Sequence, residues 1–369
     1  MLSLGKAIDR AVKLVGADGP VVVTPVTEVR PGLPRAGHVD AASKDGRLVV
    51  RIRHHNPQTF LPFATRVGEQ LRDAAKQFKD PVVEVLNAST IRLREGPGAA
   101  LTHAVLVTAS TALTTAGLLA QGLGAHRALR IDRPQGLDRL AGVVSSLEKD
   151  LPDAAVIRLQ PRSAVCASVV RAACADMRCD GFQGQFIFGV LVDDLPKKIT
   201  DARMAFVSDA AVLVLNGGDE IRWSPLAKAP GVDLDHLLDP WDSHHELRVN
   251  TDALRSAVRL AVATGTSGVA EFFFQAGEDQ AEPFVEVFGI DDDKARSRVS
   301  VARLAILNPA SRGLWTTLRV VLRGRTVYDA LRVFPKTVDA INVHVSSPSS
   351  PMRVFADGYA ETLYPLLEV

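Results

Sequence analysis

The sequence predicts an α+β protein built from three repeated domains, each with two helices packed on antiparallel sheets. Three observations predict it. A helix followed by three strands recurs, with units beginning near residues 61, 195 and 327, and a preceding helix begins near residues 5, 136 and 252. The repeat of element order is therefore roughly 120–130 residues, and three copies fill the chain. Within each copy, alternation of apolar and polar residues marks strands, and a three-to-four spacing marks helices. At 369 residues, 47% hydrophobic and 23% charged, the composition is that of a globular chain long enough for two or three domains and excludes a disordered one. The expected domains are residues 1–124, 125–243 and 244–369.

In the first domain, Leu4, Ala7, Ile8, Ala11, Val12 and Val15 form a helical stripe that Gly16 ends. Val21–Thr24 reads as a strand, Pro25–Gly37 as a loop, and Asp45-Gly46 as a hairpin turn into Leu48–Arg53. A helix is expected over 61–78, with Ala64, Val67, Leu71, Ala74 and Phe78 inward and Pro81 closing it. Strands at 82–86, 90–94 and 103–108 complete the copy, and 109–124 reads as a connector.

The second copy opens with a helix through Leu137, Leu140, Ala141, Val144 and Leu147. Strands follow at 155–159, 164–173 and 185–192. A short helix is expected near 195–202, with Pro196 in its first turn. Strands at 204–207, 211–215 and 220–223 come next, the last two joined at Gly217-Gly218. Residues 225–242 read as a second connector. The third copy has a strand at 246–249 and a helix capped by Asn250 or Thr251, with Leu254, Ala257, Val258, Ala261 and Val262 inward. Strands at 270–274, 284–288 and 299–307 lead to the final unit. That unit is a helix through Val327, Ala330, Leu331 and Phe334, then strands at 340–345, 352–355 and 362–367, with a tight turn at Asp357-Gly358.

Little in the sequence points to catalysis. Cys166, Cys174 and Cys179 form no CxxC pair and have no zinc spacing, and read as reduced thiols of a cytoplasmic protein. His54-His55 and His244-His245 are adjacent pairs, which project to opposite sides of an extended chain and suit one metal poorly. Asp291–Asp293 reads as a solvated turn. No Ser/His/Asp order carries a nucleophile-elbow motif. No catalytic residue, metal or cofactor is expected. No signal peptide and no span long enough for a bilayer is read in the chain, so no membrane partner is expected. A net charge of +1 leaves a nucleic-acid partner to be judged from the placement of charge.

The three-domain order, the ending Leu363-Tyr-Pro-Leu-Leu-Glu368 and the segment Arg158–Cys166 together resemble the β-type DNA sliding clamp family of bacterial and phage replication. The ending is similar to that family's tail, where a bulky apolar residue and proline follow the last strand. Arg162 matches the arginine that closes a turn in the family's second domain, although Leu159, Gln160 and Pro161 stand where the family has Asp-Gly-His. The resemblance implies a non-enzymatic ring, closed head to tail as a homodimer around double-stranded DNA, with helices lining the hole. It also implies that DNA polymerase and clamp loader dock linear peptides in a groove between the second and third domains.

The groove residues so implied are Arg162, Val232, Leu237, Leu238, Tyr364, Pro365, Leu366 and Leu367. A ring that slides must attract phosphates without reading bases, which cations on the helices can do. The candidates are Arg10, Lys13, Arg72, Lys76, Lys79, Arg139, Lys197, Lys198, Arg203, Arg255 and Arg259. Two other readings stand beside this one. One is a structural assembly protein of repeated β domains. The other is an enzyme similar to diacylglycerol-type lipid kinases, for which Gly217-Gly-Asp-Glu220 is the nearest approach to a nucleotide loop.

Overall fold

The computed structural model describes residues 1–26, 36–58, 60–65, 68–78, 81–87, 90–95, 102–106, 129–150, 156–160, 162–167, 171–177, 185–207, 209–226, 245–275, 282–291, 298–307 and 317–366. Five α-helices lie among them: α1 Leu4–Val15, α2 Gly68–Gln77, α3 Pro134–Asp150, α4 Thr251–Thr264 and α5 Gly324–Val333. The strands of the first third are β1 Val21–Thr24, β2 Gly37–Ala42, β3 Val49–His54, β4 Phe63–Thr65, β5 Val82–Asn87, β6 Thr90–Arg94 and β7 Thr102–Leu106. Then come β8 Leu129–Ile131, β9 Val156–Leu159, β10 Ser163–Ala167, β11 Arg171–Asp176, β12 Gln185–Phe188, β13 Ala202–Val207, β14 Ala210–Leu215 and β15 Glu220–Pro225. The last third holds β16 His245–Asn250, β17 Val269–Gln275, β18 Phe284–Ile290, β19 Arg298–Ala305, β20 Leu318–Arg323, β21 Ala340–Val345, β22 Met352–Ala356 and β23 Tyr359–Leu363.

The chain forms two compact units. The first is Met1–Pro134 with Cys179–Ala227, and the second is Gln135–Arg178 with Lys228–Val369. The first unit carries an antiparallel sheet in the order β4-β1-β2-β3-β15-β14-β13-β8 and a smaller one, β5-β6-β7. The second carries the run β9-β10-β11-β23-β22-β21-β16 and a four-stranded sheet, β19-β18-β17-β20.

Local chemistry sets the ends of the helices. The apolar stripe of α1 is buried along its whole length, and Gly16 turns the chain at φ +87°, where a side chain would be strained. In α4 the Asn250 side chain accepts the Ala253 N–H at 2.9 Å, a cap that contributes about 1 kcal/mol. Apolar residues of α4 face β17 and β18, burying Leu254, Ala257, Val258 and Ala261 against Ala270, Phe272, Phe274, Val285 and Val287.

Several expectations are corrected. The helix expected over 61–78 is β4 followed by α2, because Phe63–Thr65 pairs with Val21–Val23 and is buried on both faces. No helix forms over 195–202; a 3-10 turn at Gly189–Leu191 leads by an irregular path to β13. The carbonyls of Leu191, Asp193 and Asp194, which lead into this segment, accept from the Arg222 guanidinium. The described residues of 125–226 thus hold one α-helix, not two. The apolar run 164–173 is a hairpin, in which Ala164 faces Ala175 and Ala167 faces Ala172. Strand β20 was not expected, and the last strand ends at Leu363, not Leu367. The connector 109–124 lies outside the described residues, as does 227–244.

Candidate functional site

Each unit is joined through its large sheet by a seam between strands distant in sequence, and each seam buries an arginine with a glutamate. In the second unit, β11 pairs with β23 so that Arg171 faces Leu363 and Ala175 faces Tyr359. The Arg171 guanidinium donates to Glu361, with Nη2 at 2.7 Å from Oε1 and Nε against Oε2. The Tyr359 hydroxyl donates to the same Oε1 at 2.6 Å. Glu361 is 0% exposed and Arg171 1%. Burial works against the arginine's charge, but the adjoining carboxylate more than offsets it, so the Arg171 pKa is raised. Burial, then the same carboxylate, raises the Tyr359 phenol well above its ordinary value.

In the first unit, β15 pairs with β3 over Glu220–Trp223 and Val49–Ile52. Arg222 is fully buried and donates Nε to Glu220 Oε1 at 2.7 Å. Arg10 of α1 reaches the other oxygen of Glu220 at 3.1 Å and Asp194 Oδ2 at 2.8 Å. Lys13 lies 2.9 Å from that same Asp194 oxygen. This network is wetter, with the Asp194 side chain 39% exposed. Burial lowers the Arg222 pKa despite Glu220, and the neighbouring Arg10 adds to the lowering.

Where β23 ends, the chain leaves the sheet and makes a cleft. The Leu366 N–H donates to the Val321 carbonyl at 2.9 Å, which holds the tail along β20. The cleft is lined by Leu322, Arg323, Thr326, Val327, Leu363, Tyr364, Pro365 and Leu366. Leu322, Val327 and Leu363 are buried and give it an apolar floor. Tyr364 is half-buried, and burial raises its phenol pKa.

Of the expected groove residues, the structure brings together Tyr364, Pro365 and Leu366. Leu367, Val232, Leu237 and Leu238 lie outside the described residues. Arg162 is exposed at the turn between β9 and β10, where its carbonyl accepts the Met177 N–H at 3.1 Å. That is the Gly358 end of the seam, since the Asp176 N–H donates to the Gly358 carbonyl at 2.6 Å. Tyr364 leaves from the other end. With a strand rise of about 3.3 Å per residue, the length of β23 holds Arg162 some 15 Å or more from the cleft. Strand direction, invisible in a local motif, separates them.

The expected cations fall into three groups. Arg10, Arg139 and Arg255 are partly buried and committed within the fold. Arg139 donates to the Asp357 carbonyl at 3.2 Å and lies 5.7 Å from the Tyr359 ring centroid. Arg255 donates to the Leu331 and Phe334 carbonyls at 3.0 and 3.1 Å and so caps the end of α5. Lys13, Arg72, Lys76 and Arg203 sit beside carboxylates, with Lys76 3.5 Å from Asp73 and Arg203 3.2 Å from Asp201. Arg203 stands on β13, not on a helix. Lys197, Lys198 and Arg259 are exposed and make no ion pair with a described residue, the two lysines on the irregular path before β13. Lys79 lies outside the described residues.

The chain superposes over almost its whole length on bacterial DNA polymerase sliding clamps. With that of Bacillus subtilis the TM-score is 0.70 at 13% identity, covering 99% of this chain and 97% of the other. This is the sliding-clamp fold. The DNA polymerase III β subunit of Thermotoga maritima gives 0.70 at 11% identity, over 100% and 98% of the two chains. A Helicobacter pylori β clamp bound to a DNA ligase peptide gives 0.69 at 8%, over 99% and 98%. No protein-family model matches the sequence, and no curated protein does. The clamp fold is therefore held here by a sequence that shares little with these relatives beyond its pattern.

In this clamp fold the residues that sequence reasoning missed are the seam residues Arg171, Tyr359, Glu361, Glu220 and Arg222. The available signal was a charge inside an apolar strand, as in Tyr-Ala-Glu-Thr-Leu at 359–363 and Glu-Ile-Arg-Trp at 220–223. A buried charge demands a partner, but nothing local says which.

Proposed function

We propose that this protein is a DNA sliding clamp, which encircles duplex DNA and tethers the replicative polymerase for processive synthesis, without catalysing a reaction itself. The observation that carries the reading is the superposition at TM-score 0.70 over nearly all of both chains. A fold shared only in one domain would not cover the three-domain length. We read that length as domains at 1–124, 125–243 and 244–369.

The ring is read as a homodimer. Strand β19 is an edge of its sheet and exposes Val299, 41% accessible, beside backbone groups that pair with no strand among the described residues and that a strand of a second copy would satisfy. The DNA-facing charge is assigned to Lys197, Lys198 and Arg259, with Lys13, Arg72, Lys76 and Arg203 as weaker contributors; Arg10, Arg139 and Arg255 hold the fold instead. The cleft at Tyr364–Leu366 suits one apolar side chain of a linear partner peptide from polymerase or clamp loader. No helix among the described residues is long and apolar enough to cross a membrane, and a cytoplasmic site of action accompanies the replication role.

The test compares retention on a nicked circular duplex before and after linearisation, with the mass of the free protein measured by light scattering. A dimer that stays on the circle and runs off the linear form is the expected result. Equal retention on both, or a large shell in solution, would replace this reading with that of a structural assembly protein.

A further inference from the structure

The sheet β19-β18-β17-β20 has one face under α4 and one turned away from the helix, and the second is unusual in composition. Its register sets side chains in rows across the four strands. One row is Arg303, Glu286, Phe273, Arg319, and the next is Ser300, Phe288, Glu271, Val321. In a third, Arg298 faces Ile290 on one side of the sheet and Arg323 faces Val269 on the other. Arginines thus line both margins, and phenylalanines stand between them. The guanidinium of Arg303 lies flat over Phe284, 3.4 Å from its ring centroid, and that of Arg298 is 5.2 Å from the Phe288 centroid.

Two carboxylates share the face. Glu271 is 0% exposed, closed over by Arg298 and by Arg319, whose Nε is 2.8 Å from it. Glu286 accepts the Ser300 hydroxyl. Four arginines against two carboxylates leave a net positive face. The Arg298 and Arg319 side chains remain 42% and 44% exposed. Phe273 and Phe288 are half-buried, with ring surface open between the cationic margins.

From this arrangement we infer that the helix-free face of this sheet binds single-stranded nucleic acid. Cations track a sugar-phosphate backbone, and guanidinium planes suit phosphate oxygens. Bases released from a duplex stack on aromatic rings without regard to sequence. An acidic polypeptide would use the arginines but has no use for the rings, so the phenylalanines favour the nucleic acid. The inference does not rest on ring closure, because a short linear strand cannot be held topologically.

The experiment measures fluorescence anisotropy of a labelled linear oligothymidine of about 12 nucleotides with the full-length protein. Salt-dependent binding is expected, weakened about threefold to tenfold in Arg303→Gln. Phe273→Leu, which keeps bulk but removes the ring, weakens oligothymidine and leaves polyglutamate unaffected. Lys44→Gln, away from this face, leaves binding unchanged, and thermal melting verifies that each variant is folded. Absence of binding overturns the inference, as does binding indifferent to Arg303→Gln. Equal loss of oligothymidine and polyglutamate in Arg303→Gln with no effect of Phe273→Leu assigns the face to acidic polypeptides and also overturns it. Retention on circular duplex is read separately in the same Arg303→Gln protein, so this inference and the clamp reading fail independently.

Discussion

The two seams solve one problem in different ways. Each makes a long sheet by pairing strands far apart in sequence, β3 with β15 and β11 with β23. Each buries a charged pair beneath that pairing. In the β11–β23 seam one dry carboxylate accepts from both Arg171 and Tyr359. In the β3–β15 seam the buried Arg222 spreads its donors over Glu220 and three backbone carbonyls, and Arg10 supports Glu220 from outside. The difference teaches that burial, not the number of hydrogen bonds, decides how much one deletion costs. A sealed pair has no water to replace a lost partner, and a wet network has.

The comparison breaks hardest at Glu361. In Glu361→Gln, Arg171 keeps its charge in a dry site, and a loss of about 3–5 kcal/mol is expected in urea unfolding. The paired change Arg171→Met with Glu361→Leu should recover most of that loss, because it removes both desolvated charges. Arg222→Met is expected to cost less, about 2–3 kcal/mol, mainly through the carbonyls of Leu191 and Asp193 that lose this donor, while Asp194 keeps Arg10. Its effect should concentrate at 189–201, readable as faster amide exchange there. Tyr359→Phe removes one donor from a carboxylate that keeps its arginine, and about 1 kcal/mol is expected in the same unfolding assay.

A smaller effect of pH sharpens the contrast. On β2, next to β3, burial and then the neighbouring Arg51 lower the His38 pKa to about 4. Its folded value lies below its unfolded value of 6.5, so the unfolded chain binds the extra proton between those limits. Stability should therefore fall as pH drops from 6.5 toward 4. His38→Gln removes this contribution. Between pH 7 and 4.5 the parent should lose about 1 kcal/mol more than the variant, allowing for solvent at this partly exposed ring. Urea midpoints at the two pH values measure it.

Much of the fold was legible because period is local. The stripe of α1, the Asn250 cap and the Asp357-Gly358 turn each depend on residues within a few positions, and all are where the sequence puts them. The failures share a cause of the opposite kind. The segment 195–202 has a helical pattern, yet follows an irregular path behind residues 191–194, which Arg222 binds. Phe63–Thr65 fits a helical stripe but is captured by β1. At the candidate cleft, Tyr364 to Leu366 were singled out by the resemblance of the ending to a clamp tail, and the structure gathers them there. Arg162 matched a motif, but the antiparallel register carries its turn to the wrong end of β23. The Arg171–Glu361 pair spans 190 positions, and no spacing rule reaches that far.

The bond from Leu366 to Val321 has a consequence for assembly. A four-stranded sheet with both edges open can add neighbours on either side and grow into a fibril. Here the chain's own end sits along β20, so that side is already taken. Among the described residues, β19 is then the edge of this sheet that stays uncovered. A sheet that can be extended on one side alone cannot pass strand addition through itself, which blunts growth into a fibril.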